Sequence, residues 1–286
     1  MKRRSSAQRC RASWIALAIA ATAGPGSAEQ VVVPAAADNT LIESASGAFS
    51  NGAGPAFFVG HTSQTTNGRR RGLVRFDVAS ALPPGAIVTA VELRLELTQS
   101  THPEPIEIGL HRVLTAWGEG ASVASGGGGA PSTPGDATWI HTEYPDAFWD
   151  DPGGDFVAAQ SSVQVVAGAG LVTWPSTPGV VADVQAWLDD ASGNHGWLLL
   201  GGEEARETSK RFASREAEEP EAPPRLVVEY VPPCSQQNLD GASRALCHVY
   251  CEALDCDAPA PAASPRACAE LARQFDRRSG GGALVC

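Results

Sequence analysis

Between Val91 and Thr98 the chain alternates without a break. Val91, Leu93, Leu95 and Leu97 are apolar, while Glu92, Arg94, Glu96 and Thr98 are polar. Successive side chains of a strand point to opposite faces, so this pattern buries one face and wets the other. Ile106, Ile108 and Leu110 repeat it against Glu107, Gly109 and His111. Shorter strand candidates are Ala56–Val59, Gly72–Val78, Leu171–Trp174, Gly196–Leu200 and Arg225–Tyr230. Turn residues separate them: Asn67-Gly68, Pro83-Pro84-Gly85, Pro178-Gly179 and Ser192-Gly193-Asn194. Many short strands with such punctuation predict a mostly β body, a jelly-roll β-sandwich, over 29–231. One helix is expected at Val180–Leu188, where Val180, Val181, Val184, Trp187 and Leu188 share a face. Residues 118–136, with Gly126 to Gly129 consecutive, read as a long surface loop or flap.

The first 28 residues read as a secretory signal. Lys2, Arg3, Arg4, Arg9 and Arg11 form a basic head, Trp14–Ala23 an apolar run, and Gly26-Ser27-Ala28 a small-residue cleavage site before Glu29. The alternative, a membrane anchor, needs about 20 apolar residues, roughly twice this run. The expected location is secreted, extracellular or periplasmic. Removing residues 1–28 takes five basic side chains from a total of 21 Lys and Arg against 32 Asp and Glu, which leaves a formal charge of −16. Such a surface repels nucleic acid and anionic lipid.

Cysteine divides the remainder sharply. None lies between Glu29 and Pro233; then Cys234, Cys247, Cys251, Cys256, Cys268 and Cys286 follow. An even cluster in an exported chain predicts three disulfides, with a zinc site including His248 as the alternative. Pro232-Pro233 marks the joint to this tail, 232–286. Ala242–Leu254 is helical in composition, and Ser264-Pro265 suits the cap and first residue of a second helix reaching about Arg278. So small a helical pair has too little core to stand without covalent help.

No nucleophile elbow, metalloprotease helix or phosphate loop occurs. Gly153-Gly154-Asp155-Phe156 spells most of a cyclase signature, but Val157 follows where an acid belongs, and an exported chain meets no GTP. No catalytic residue is therefore assigned, and no cofactor is required. Asp146, Asp150, Asp151 and Asp155 crowd around Gly153-Gly154 and offer oxygens to calcium; a solvated acidic loop is the alternative. Trp139, Tyr144, Phe148 and Trp149 lie in the same region. Exposed, Trp139, Tyr144 and Trp149 offer flat faces to sugars; otherwise they are core. Arg69-Arg70-Arg71 is the body's one basic run. It either meets uronic carboxylates or is a solvated turn after Asn67-Gly68.

The body resembles the DNRLRE domain family of secreted bacterial and archaeal proteins. Asp38-Asn39-Thr40-Leu41-Ile42-Glu43 stands at the naming motif, with Thr40 and Ile42 where the motif has arginines. Leu73-Val74-Arg75-Phe76-Asp77, Leu82-Pro83-Pro84-Gly85-Ala86, His111-Arg112-Val113 and Trp117-Gly118-Glu119-Gly120 follow in order. Gly196-Trp197-Leu198-Leu199 and Pro224–Tyr230 close the likeness. The resemblance implies a jelly-roll sandwich, often appended to polysaccharide-degrading enzymes or carried by surface proteins. Some relatives are modules for acidic glycans such as alginate. The expected partner is a polysaccharide or a cell-surface or matrix component. The rivals are a structural protein whose cysteine-rich tail docks a protein partner, and a polysaccharide hydrolase.

Overall fold

The structure is a computed structural model that describes residues 28–102, 104–233, 241–250 and 265–279. The proposed leader, except Ala28, lies outside the described residues, as do Cys234, Cys251, Cys256 and Cys286. No helix among the described residues is long and apolar enough to cross a membrane.

The body is mostly β. Its strands are β1 (Glu29–Ile42), β2 (Phe49–Ser50), β3 (Ala56–His61), β4 (Arg69–Phe76), β5 (Ile87–Ser100), β6 (Ile106–Arg112) and β7 (Ala130–Pro131). Then come β8 (His141–Glu143), β9 (Ala147–Phe148), β10 (Ser162–Val166), β11 (Gly170–Trp174), β12 (Trp197–Leu200), β13 (Lys210–Ala213) and β14 (Arg225–Val231). The helices are α1 (Val78–Ala81), α2 (Pro178–Asp189), α3 (Gly241–His248) and α4 (Pro265–Ser279). Ten strands form one antiparallel hydrogen-bonded sheet, nine along a single path and β11 off it, paired with β5.

Two sets of ladders make up that sheet. In one, β14 lies between β1 and β5, β11 pairs with β5, and β13 joins β5 to β3. In the other, β4 pairs with β1, β3 and β12, and β6 lies between β12 and β10. β1 serves both sets. Glu29–Pro34 pairs with β14, a register shift falls between Ala35 and Ala37, and Ala37–Ile42 runs along β4. A bulge bends a strand and raises its twist, which lets β1 pass from one set to the other.

Both sets bury one face in a common core. Leu93, Leu226 and Val228 come from the first, and Val74, Ile108 and Trp197 from the second. The alternation along β5 holds as predicted, with Val91, Leu93, Leu95 and Leu97 all buried. α2 lies against this core. Thr177 Oγ1 accepts from the Val180 N–H at 3.3 Å, and Pro178 occupies the first turn. The predicted face packs inward, and Trp187 meets Trp197 with ring centroids 4.6 Å apart.

A second, smaller cluster covers the opposite face of β4 and β12. Leu41, Leu73 and Leu198 point into it, and Trp117, Trp139 and Trp149 from residues 113–157 close it. The apolar run Trp197–Leu200 is therefore buried on both faces, the expected reading of a strand with no polar alternation.

In the tail, α3 and α4 pack on each other. Cys247 and Cys268 are buried, and both are disulfide-bonded.

Candidate functional site

The Asp38-Asn39-Thr40 segment is a buried polar hub. Asn39 Nδ2 donates to the Glu119 carbonyl at 2.8 Å and the Ala137 carbonyl at 3.4 Å. Its Oδ1 accepts from Thr40 N, Ser50 Oγ and Asn51 N at 2.6, 3.0 and 3.2 Å. Asn51 in turn accepts from Ala124 N at 2.6 Å and donates to the Ala56 carbonyl at 2.7 Å. Residues 118–136 are thus not a free flap. Ser122 and Asp136 are buried, and the Asp136 carboxylate accepts from Thr133 N at 2.6 Å and Ser122 N at 3.3 Å. Gly120 has φ +73 and leaves room for that carboxylate.

Arg70 ties this segment to the β3–β4 connection. Its Nε donates to the Gly127 carbonyl, and its Nη1 donates to the carbonyls of Asn67 at 2.9 Å and Arg69 at 2.7 Å. Burial lowers its pKa to about 10, and the nearby Glu43 charge opposes that shift. The group therefore stays cationic at neutral pH. None of the ion pairs among the described residues includes it.

A hollow of about 470 Å³ opens where these parts meet. Phe49, Gln64, Thr65, Thr66, Asn67 and Arg70 line it, with Glu43 and Ser44 at its side. Phe49 is 42 % exposed. Beyond Gly128 lies a second hollow of about 310 Å³, lined by Thr62, Ser63, Gln99, Thr101, Gly126 and Ser209. Hydroxyls, amides, the Glu43 carboxylate and one aromatic face suit a hydrogen-bonding ligand with an apolar side, while the Arg70 guanidinium, 1 % exposed, holds the wall together.

The aromatic site expected from the sequence is corrected by this geometry. Trp139 and Trp149 are buried in the second cluster. The Trp149 indole N–H donates to the Thr138 carbonyl at 2.9 Å. Tyr144 is half-buried with its ring edge-on to His141, and of the four aromatics only Phe148 is exposed. The basic run is corrected likewise. It is the start of β4 rather than a solvated turn, and period 2 divides its members. Arg71 bonds Glu203 at 2.8 and 3.0 Å and the Gly153 carbonyl at 2.8 Å, with its guanidinium 4.8 Å from the Trp139 ring centroid. Arg69 is partly exposed beside Glu43. Only Arg70 lines the hollow.

Asp155 organises its own loop. Its oxygens accept from Asp150 N at 3.1 Å, Asp151 N at 3.0 Å and Thr115 Oγ1 at 3.0 Å. Asp146, Asp150 and Asp151 are exposed. Among the described residues no three His, Cys, Asp or Glu side chains are grouped to hold a metal ion.

A cluster of Asp38, Glu119 and Glu216 around Arg215 was not foreseen. Glu119 Oε1 accepts from Asp38 N at 2.9 Å and Arg215 Nε at 2.7 Å, and Arg215 N donates to Asp38 Oδ2 at 2.7 Å. Asp38 Oδ1 is buried without a partner. Burial pushes the Asp38 carboxyl well above its usual range; the charges of Glu216 and Glu119 add to this, and Arg215 opposes it. Neither hollow opens onto Asp38, so the shift belongs to the scaffold.

The raised value means that the folded state holds this proton more tightly than the unfolded chain. The parent therefore loses stability as pH rises from the unfolded value through the folded one. Asp38→Asn is expected to gain about 1–2 kcal/mol near neutral pH, the scale of one buried unpartnered oxygen. The gain should shrink as pH falls toward about 4. Urea unfolding of both proteins across that range checks it; a gain that grows toward acid would contradict the assignment.

No protein-family model matches this chain, and no curated protein matches it.

Proposed function

We propose that this is an exported, non-catalytic module that binds polysaccharide in the hollow between Phe49, the β3–β4 connection and the glycine turn. The observation that carries the reading is the lining itself: the partly exposed ring of Phe49 shares the hollow with the amide and hydroxyl side chains of Gln64, Thr65, Thr66 and Asn67. Aromatic faces take the apolar side of a sugar, while amides and hydroxyls exchange hydrogen bonds with its oxygens. The proposed architecture is a jelly-roll sandwich of the DNRLRE type. Two ladder sets sharing one core support it, and so does the structural use of Asp38 and Asn39 at the naming motif. The tail is proposed to carry three disulfides, to which the bonded Cys247 and Cys268 belong.

The purified body should bind on a glycan array and release no reducing sugar from the same glycans. Phe49→Ala should weaken binding by about ten-fold, or ~1.4 kcal/mol. Stability should change much less than for a core aromatic, because the residue is 42 % exposed. Unchanged binding would place the site elsewhere. Binding to no glycan would leave the tail-docking protein as the reading to pursue.

A further inference from the structure

The second hollow has no role in the reading above, and its walls are those of the first. On one side runs the β3–β4 connection: Thr62 and Ser63 line the second hollow, and Gln64 to Asn67 line the first. On the other side stands the turn Gly126–Gly129, closed by a bond from Gly129 N to the Gly126 carbonyl at 3.1 Å. Gly128 borders both hollows.

The four glycines of this turn are not equivalent. Gly129 needs its φ of +73, and a Cβ there would meet the Ile42 side chain at 2.2 Å. A Cβ on Gly127 would approach the Phe58 ring to 3.2 Å. Gly126 and Gly128 have neither constraint. Their φ values lie outside the left-handed region, and a Cβ on either would meet nothing within 4 Å. The fold thus accepts a side chain at Gly128, the residue that lines both hollows. A bare backbone at such a place is where another chain approaches closely.

We infer that the two hollows are subsites of one groove for a linear glycan chain, which crosses the backbone at Gly128. The inference rests on the polysaccharide reading and deepens it to chain-length recognition. Neither subsite presents a free cation: Arg70 beside the first is 1 % exposed with its Nε and Nη1 on backbone carbonyls, and Arg211 in the second pairs with Glu221 at 3.0 Å. Both subsites are therefore read as taking the hydroxyls of neutral sugars, the first through Gln64, Thr65, Thr66 and Asn67 and the second through Gln99, Thr101 and Ser209.

The test uses the full chain with disaccharide and hexasaccharide oligogalacturonides and neutral cello-oligosaccharides of the same lengths. Isothermal titration of the parent, Phe49→Ala, Gln99→Ala and Gly128→Phe reads each subsite. For the parent, the hexasaccharide of the series that binds should be held at least about ten-fold more tightly than the disaccharide. Gly128→Phe should abolish most of that gap, lowering hexasaccharide affinity far more than disaccharide affinity. Gln99→Ala should lower hexasaccharide affinity alone, and Phe49→Ala should lower both. A length gap that survives Gly128→Phe overturns the crossing while the first subsite stands. Equal affinity for both lengths in the parent overturns it also. If no oligosaccharide binds the parent, both readings fall.

Discussion

Trp149→Ala is expected to lower the unfolding free energy by about 3–5 kcal/mol, the range for a fully buried tryptophan. The indole fills the small cluster with Trp117, Trp139 and Leu198, and its N–H is spent on the Thr138 carbonyl. For a body of some 200 residues this corresponds to a fall in Tm of roughly 10 °C. The ring lines neither hollow, so glycan affinity of the still-folded variant should be nearly the parent's. Calorimetry and one titration decide the matter. A melt close to the parent's with binding lost would return Trp149 to the surface. The cluster sits apart from the main core, so an early, partial transition assigned to residues 113–157 is an acceptable form of the result.

Asn39→Ala should be as damaging by a different route. Truncation leaves the N–H groups of Thr40 and Asn51 without their acceptor. It also removes the donor that serves the Glu119 carbonyl. Orphaning one buried polar group costs about 1–3 kcal/mol, and several are exposed to that loss together. A loss of about 3–5 kcal/mol is expected, with the urea m-value preserved. Residues 118–136 should also become the first point of proteolytic cleavage, because the hub is what holds them down. A variant that melts like the parent but resists proteolysis equally well would show the hub to be redundant.

The strands with one wet face were legible because the polar side of the alternation was written into them, as in Val91–Thr98. α2 was legible from its 3.6 period together with Thr177 and Pro178. The second cluster was not. Aromatics among Pro and Asp describe an exposed platform and a thin covering layer equally well. Only the partners Leu41, Leu73 and Leu198, distant in sequence, decide between them. Arg69-Arg70-Arg71 was misread because Asn67-Gly68 marks a turn and the strand was expected only from Gly72, whereas β4 begins at Arg69, directly after that turn. Once β4 starts at Arg69, alternation alone sends Arg71 onto Trp139 and Arg70 toward the glycine turn. The hollow itself draws on residues 42–49, 64–70 and 128, and nothing local announces that these meet. The buried Lys210 is of the same kind. Its Nζ donates to Ser100 Oγ at 2.7 Å and to three carbonyls, those of His102, Glu104 and Ala167. No pattern in its own neighbourhood foretells that.

The crossing strand β1 sets where the module can be tethered. Its first residue, Glu29, sits beside Tyr230 at the close of β14, while its last, Ile42, borders the first hollow. Fourteen residues of strand measure roughly 45 Å, less the bend at the bulge. Both ends of the body therefore leave from one pole, and the first hollow lies toward the other. Neither an anchorage nor a fused companion at either end of the body then has to pass in front of that hollow.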